Sequence, residues 1–248
     1  MIGVVLIAFL AGLAVGSFAT AVAHRVPRGI PIGASRSQCP ACGAQIAARD
    51  NVPVFSWLLL RGRARCCGAR ISSRYPLTEL ATGLLFVATV LVYRHDAAEA
   101  LIGLVFVAML VVVTLTDLEQ RIIPNKVLIA GAVICVAIAA PTDPGSLPER
   151  AIAAMAAGGV FFLVVLAYPS GMGLGDVKLA AAMGLFLGRA VGPAILIALL
   201  VASLVGVALI VRYGARARKM AIPFGPFLAL GGVVGLLAGD QLIDLYLG

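Results

Sequence analysis

Charge is what this chain has least of. Only 12% of its 248 residues are charged, where an ordinary soluble domain carries about 25%. Acids number eleven and histidines two. The sequence has no HExxH segment, no P-loop and no dinucleotide-binding glycine fingerprint, which removes the chemistries those motifs support. So little charge also excludes a soluble globular enzyme and a disordered chain. Five cysteines, an odd number, do not make a secreted disulfide framework.

Hydrophobic residues fill the space instead: 62% of the chain, with a mean hydropathy of +1.08. No soluble fold of this size hides that much apolar surface. The expected fold class is an all-α polytopic membrane protein. Runs of roughly 17–25 apolar residues span a bilayer. They predict about eight transmembrane helices, at 2–22, 77–93, 100–116, 125–140, 151–168, 177–190, 192–212 and 224–246. Gly184, Gly188 and Arg189 interrupt the sixth. The first run lacks a preceding basic residue and is too long for the core of a cleaved signal peptide. The expected organisation is a first helix at 1–22, a cytoplasmic cysteine-rich loop at 23–76, and a seven-helix membrane domain at 77–248. No internal repeat is visible. Gly12/Gly16 and Gly231/Gly235/Gly239 have the four-residue spacing of closely packed helices.

The net charge of +8 reads as loop charge of a membrane protein rather than a nucleic-acid surface. Loop 23–76 holds nine arginines and one acid, Asp50. With loops 117–124, 169–176 and 213–223 on the same side, and the span ends that carry Lys126, Lys178 and Arg212 beside them, 16 of the 19 basic residues share it, and only Arg94, Arg150 and Arg189 lie opposite. The positive-inside rule makes that side cytoplasmic and puts both termini outside.

Each acid at membrane depth needs a reason. Asp117 opens TDLEQRIIPN, placed between two spans, and Asp176 ends GMGLGD at the start of another. Both fall at the cytoplasmic boundary. Two carboxyl groups brought together share a proton, so one serves as general acid and the other as general base on a water. Gly171, Gly173 and Gly175 are expected to adopt open φ values and to let a substrate strand approach. A helix N-terminus favours an anionic Asp176. On physical grounds an aspartyl dyad and a proton path through a small transporter stand level; a scaffold docking partners on its basic loop is a third reading. His24 and His95 are predicted at opposite faces, against a Ser-His-Asp or Cys-His site. Glu119, near Asp117, and Glu79 are candidates to receive a basic substrate segment, against readings as a solvated turn residue and a helix N-terminal charge.

Four cysteines share the polar loop: Cys39 and Cys42 with the spacing of a zinc knuckle, then the adjacent Cys66 and Cys67. A reducing cytoplasmic location favours metal over disulfide. The adjacent pair is expected to ligate one zinc only with a strained backbone. The loop has too few apolar residues for a core, so the metal's role would be structural. Cys135, inside a span, reads as packing.

At these residues the sequence resembles the prepilin leader peptidases, intramembrane aspartyl peptidases of the GxGD type. The resemblance runs through GSFATAVAHRVP at 16–27, the cysteine segment at 39–80, TDLEQRIIPN at 116–125, GMGLGDVKLAAAMGLFLG at 171–188 and IPFGPFLALGG at 222–232. It implies a bacterial inner-membrane enzyme with Asp117 and Asp176 catalytic at the cytoplasmic face. It implies prepilin or pseudopilin substrates, cut after a glycine between a short basic leader and the apolar helix. Relatives with the cysteine domain often methylate the new terminus with S-adenosylmethionine; no residues are assigned to that donor. Position 19, often Asn in the family, is Ala here. The second cysteine pair usually repeats the two-residue gap, but position 64 is Ala and a cysteine stands at 66.

Overall fold

In lipid every backbone N–H and C=O must find its partner inside the chain, and an α-helix does this within one segment. The computed structural model describes residues 1–30, 37–169, 171–214 and 222–247. Among them are nine α-helices and no strand: α1 (Ile2–Arg25), α2 (Phe55–Leu59), α3 (Arg74–Val92), α4 (Ala97–Gln120), α5 (Asn125–Thr142), α6 (Leu147–Ala167), α7 (Leu174–Leu187), α8 (Val191–Tyr213) and α9 (Gly225–Leu247). Arg216, Arg218 and Lys219, counted above with the cytoplasmic charges, lie outside the described residues. The chain packs as two compact units, 1–91 and 92–248.

Among the described residues seven helical stretches are long and apolar enough to cross a membrane, against the eight expected. The difference lies at Leu174–Tyr213, one apolar stretch of 40 residues. Gly188, at φ 54° and ψ −133°, ends α7 within it, and a 3-10 turn leads into α8. α7 has only 14 residues, about 21 Å at 1.5 Å per residue. A hydrocarbon core is roughly 30 Å thick.

α4 is the best-buried span, with half of its most apolar window inside the protein. It packs on α5 and α9; α6 packs on α7, α8 on α9 and α5 on α7. Phe106 of α4 stacks on Phe186 of α7 at 4.9 Å between centroids. Asp96 caps α4, its Oδ1 accepting the N–H groups of Ala98 and Glu99 at 3.0 Å. The helix runs past the predicted end at 116, because nothing in Asp117–Gln120 breaks it. It stops where Arg121 turns left-handed and donates its N–H to the Asp117 carbonyl. Asp117 and Glu119 therefore lie on a helix, not on a connection between spans.

The glycine spacings mark close helix packing, as expected. In unit 1 a Cβ at Gly12 would lie 2.7 Å from the Gly83 Cα, so α1 and α3 touch backbone to backbone. In unit 2 a Cβ at Gly231 would collide with the Ala194 carbonyl, so its absence lets α9 lie against α8.

Candidate active site and metal centre

Asp117 sits in the last turn of α4 and is buried. Its Oδ2 accepts the Gly225 N–H at 2.8 Å. That N–H is free to donate because Gly225 opens α9, where the first backbone N–H groups have no intrahelical partner. A Cβ on residue 225 would stand 2.7 Å from Asp117 Oδ2, so only glycine lets the two meet. Phe224 anchors this entry, with Phe161 of α6 and Phe227 of α9 each 6.3 Å away between centroids.

Asp176 is the third residue of α7, half-buried, and its Oδ2 reaches back to the Gly173 N–H at 3.2 Å. This is the carboxylate half of a capping box. Asp176 is thus not the N-cap itself; Gly173 is. The two acid-bearing segments meet. A Cβ on Gly175 would touch the Ile123 side chain at 3.2 Å. Lys178 Nζ donates to Asn125 Oδ1 at 3.1 Å.

Gly171, Gly173 and Gly175 do not adopt the open φ values expected of them; none has a positive φ. Close approach is what two of them serve: a Cβ on Gly171 would overlap the Tyr168 ring, and Gly175 admits Ile123. Gly173 supplies the N–H that holds Asp176.

Glu119 is exposed. Two residues from Asp117, it points about 200° away around the helix. Glu79 is not a solvated charge. It is buried in α3 and accepts the Val54 N–H at 2.7 Å. Val54 is a β-branched residue at φ 60°, ψ −51°, where non-glycine residues are strained, and the Glu79 carboxylate holds it there. Sequence reading missed Gly225 as a partner of Asp117, although the segment that contains it stood out. It also missed Gln120, one turn beyond Asp117, whose buried amide nitrogen has no protein partner among the described residues. His24 pairs with Arg28 and His95 with Arg94.

In unit 1 the sulfurs of Cys39, Cys42, Cys66 and Cys67 all lie within 4.8 Å of one another. Cys42–Cys66 are 3.4 Å apart, Cys39–Cys67 3.7 Å and Cys66–Cys67 3.8 Å. Four thiolates around one zinc at 2.3 Å would stand about 3.8 Å apart, so the donor set fits a closed structural site. The backbone strain expected at Cys66–Cys67 is absent, since neither has a positive φ. Two equivalent turns explain this. Gly43 donates to the Cys39 carbonyl and Gly68 to the Ala64 carbonyl, with both glycines at φ 71°. Isolated bridges Gln38–Gln45 and Arg63–Arg70 close the two turns. Cys67 thus matches Cys42, Ala64 stands where Cys39 has its match, and Cys66 supplies the missing sulfur from inside the turn. The sequence marks position 64 as the departure from a repeated pair; the structure adds that both segments form the same turn. The Cys39 thiol, receiving the N–H groups of Ala41 and Cys42, is lowered to about 7; hydrogen bonding to Cys42 pushes Cys66 up to about 12.

Hydrogen bonds rather than an apolar core hold the rest of this loop. Trp57 Nε1 donates to the Ile71 carbonyl, and Arg65 makes a bidentate pair with Asp50. Cys135 is buried in α5, apart from the cluster.

Residues 10–95 match the family model of the bacterial peptidase A24 N-terminal domain, and residues 104–211 match that of the type IV leader peptidase family. A "Prepilin leader peptidase/N-methyltransferase" of Bacillus subtilis (strain 168) is 33% identical over 243 residues, covering 97% of each chain. The chain belongs to the type IV leader peptidase family. A relative of the same name from Aeromonas hydrophila is 35% identical, over 96% of this chain and 92% of its own. One from Stutzerimonas stutzeri is 34% identical, over 98% and 93%. No solved structure matches. The two leader-peptidase models fall one in each packed unit, apart from the first residues of unit 2. With its apolar helices, this family member is a multi-pass membrane protein.

Proposed function

We propose that this leader peptidase cleaves the basic leader from type IV prepilins or pseudopilins by activating water between Asp117 and Asp176. The observation that carries the reading is the meeting of two separate motif segments: Ile123 against Gly175, with both acids held by backbone N–H groups. One carboxylate takes a proton from water as its oxygen attacks the scissile carbonyl carbon. The other, protonated, gives its proton to the amide nitrogen as the C–N bond breaks. The acids titrate as a pair, and we assign no fixed order of roles.

The inner-membrane orientation in this proposal puts loop 23–76 and the acids on the cytoplasmic side, supported by the placement of basic residues. The reading assigns Gly173 and Gly175 to the peptide's approach, beside Asp176. Glu119 contributes charge attraction for the leader's cations rather than direct chemistry, consistent with its turn away from Asp117. Cys39, Cys42, Cys66 and Cys67 would hold a zinc that supplies folding of the loop. The methyl transfer in the relatives' name uses S-adenosylmethionine; we assign no residue of this chain to that donor.

The test uses oriented membrane vesicles and a pilin precursor with a basic leader. Inverted vesicles should shorten the precursor, and right-side-out vesicles should not. Glu119→Gln should raise KM several-fold at low salt with little change in kcat. Processing only by right-side-out vesicles would overturn the orientation. No processing by either, with proton flux instead, would favour the transporter.

A further inference from the structure

Arg150 was read as a loop charge, but it lies buried in the first turns of α6, 7% exposed. Its Nε donates to Ser146 Oγ at 3.2 Å. Nη1 donates to the carbonyls of Leu185 at 3.3 Å and Phe186 at 2.8 Å, and Nη2 pairs with Glu99. One guanidinium thus ties together α4, α6 and α7. The last carbonyls of a helix lack intrahelical partners. α7 ends at Leu187, and Gly188 satisfies only the Gly184 carbonyl. Arg150 takes the next two and brings a cation to the negative end of the helix dipole.

We infer that Arg150 is a positioning residue that fixes α7 lengthwise, and so holds Asp176 in place against Asp117. This rests on the proposed dyad. Of the acid-bearing helices, α4 begins and α7 ends at this guanidinium. Glu99 precedes Asp117 by 18 residues, five turns, and so shares its face of α4. Leu185 and Phe186 follow Asp176 by about 13–15 Å along α7. The α6–α7 seam itself is built of small residues: a Cβ at Gly158 would lie 2.9 Å from the Ala181 Cβ, and one at Gly184 2.5 Å from the Ala153 backbone. Such a seam brings backbones close but offers few side-chain teeth against sliding. A directional polar anchor at its end fixes the register. Lysine cannot replace it, because a point charge does not bridge three partners as a planar fork does. A cavity of about 200 Å³, lined by Arg150, Glu99, Glu149, Arg189 and Tyr93 among others, adjoins the guanidinium. It gives a free guanidinium ion a way in when the side chain is removed.

The experiment measures precursor cleavage by Arg150→Ala, Arg150→Lys and Glu99→Gln in inverted vesicles, with Asp176→Asn beside them. Misplacing one reacting group by about 1 Å costs on the order of 100-fold. Arg150→Ala and Arg150→Lys should lose about 10- to 100-fold in kcat with KM little changed, and millimolar guanidinium should restore part of the loss in Arg150→Ala alone. Glu99→Gln, which keeps shape, should lose several-fold and decides the matter if Arg150→Ala does not accumulate. Wild-type kcat in Arg150→Lys and Glu99→Gln overturns the inference, as does a rise in KM with kcat intact. If Asp176→Asn cleaves normally, the dyad itself fails and the inference falls with it; if Asp176→Asn is inactive while the Arg150 and Glu99 variants are normal, only the inference fails.

Discussion

At this site a glycine does work that no side chain could do. Gly225 contributes one N–H and the absence of a Cβ, and both are used by Asp117. Gly225→Ala keeps the N–H but pushes a methyl group to 2.7 Å from the carboxylate oxygen, so Asp117 must rotate away. The expected result is a kcat loss on the order of 100-fold, with unchanged membrane levels and metal content. A variant with wild-type kcat would show that this contact does not place Asp117. The two aspartates were legible in the sequence because acids are scarce and each stands in an unusual motif. Gly225 was not, since its partner lies 108 residues away and no local pattern encodes the contact. Glu79 was legible as an acid but not as the residue that holds Val54, for the same reason.

Elements were legible where composition alone decides them, and less so where a turn does. Apolar runs gave the long helices, because lipid leaves the backbone no other way to pair. The end of α4 was placed four residues early: hydropathy falls at Asp117, whereas the helix stops only at the left-handed Arg121. The shortness of α7 depends on Gly188. The cysteine loop shows the same limit. Spacing found the four ligands, but the role of Cys66 depends on a turn that superposes in pattern on the turn at Cys39–Gly43. Cys66→Ala should cut bound zinc well below the roughly one ion per chain of a closed four-thiolate site. Adding Ala64→Cys to that variant should restore it, by rebuilding the regular knuckle. Full zinc in Cys66→Ala, or none recovered in the double variant, would contradict the arrangement. Removing the ion should leave the loop open to proteolysis, as it has almost no core of its own.

At the scale of the whole molecule, the described fold separates two kinds of work. Unit 1 carries the four-cysteine cluster, and unit 2 carries both acids with the helices that place them. Charge distribution, legible from sequence, sets the proposed orientation; the polar anchor at Arg150, buried among α4, α6 and α7, appears only once the helices are packed. Everything in the account converges on the Asp117–Asp176 pair. The most direct measurement is precursor cleavage in inverted vesicles by Asp117→Asn and Asp176→Asn, each at wild-type membrane level and zinc content. Each substitution keeps shape and removes a proton carrier, so each should lower kcat at least ~10³-fold. Substantial processing by either variant would contradict a catalytic pair.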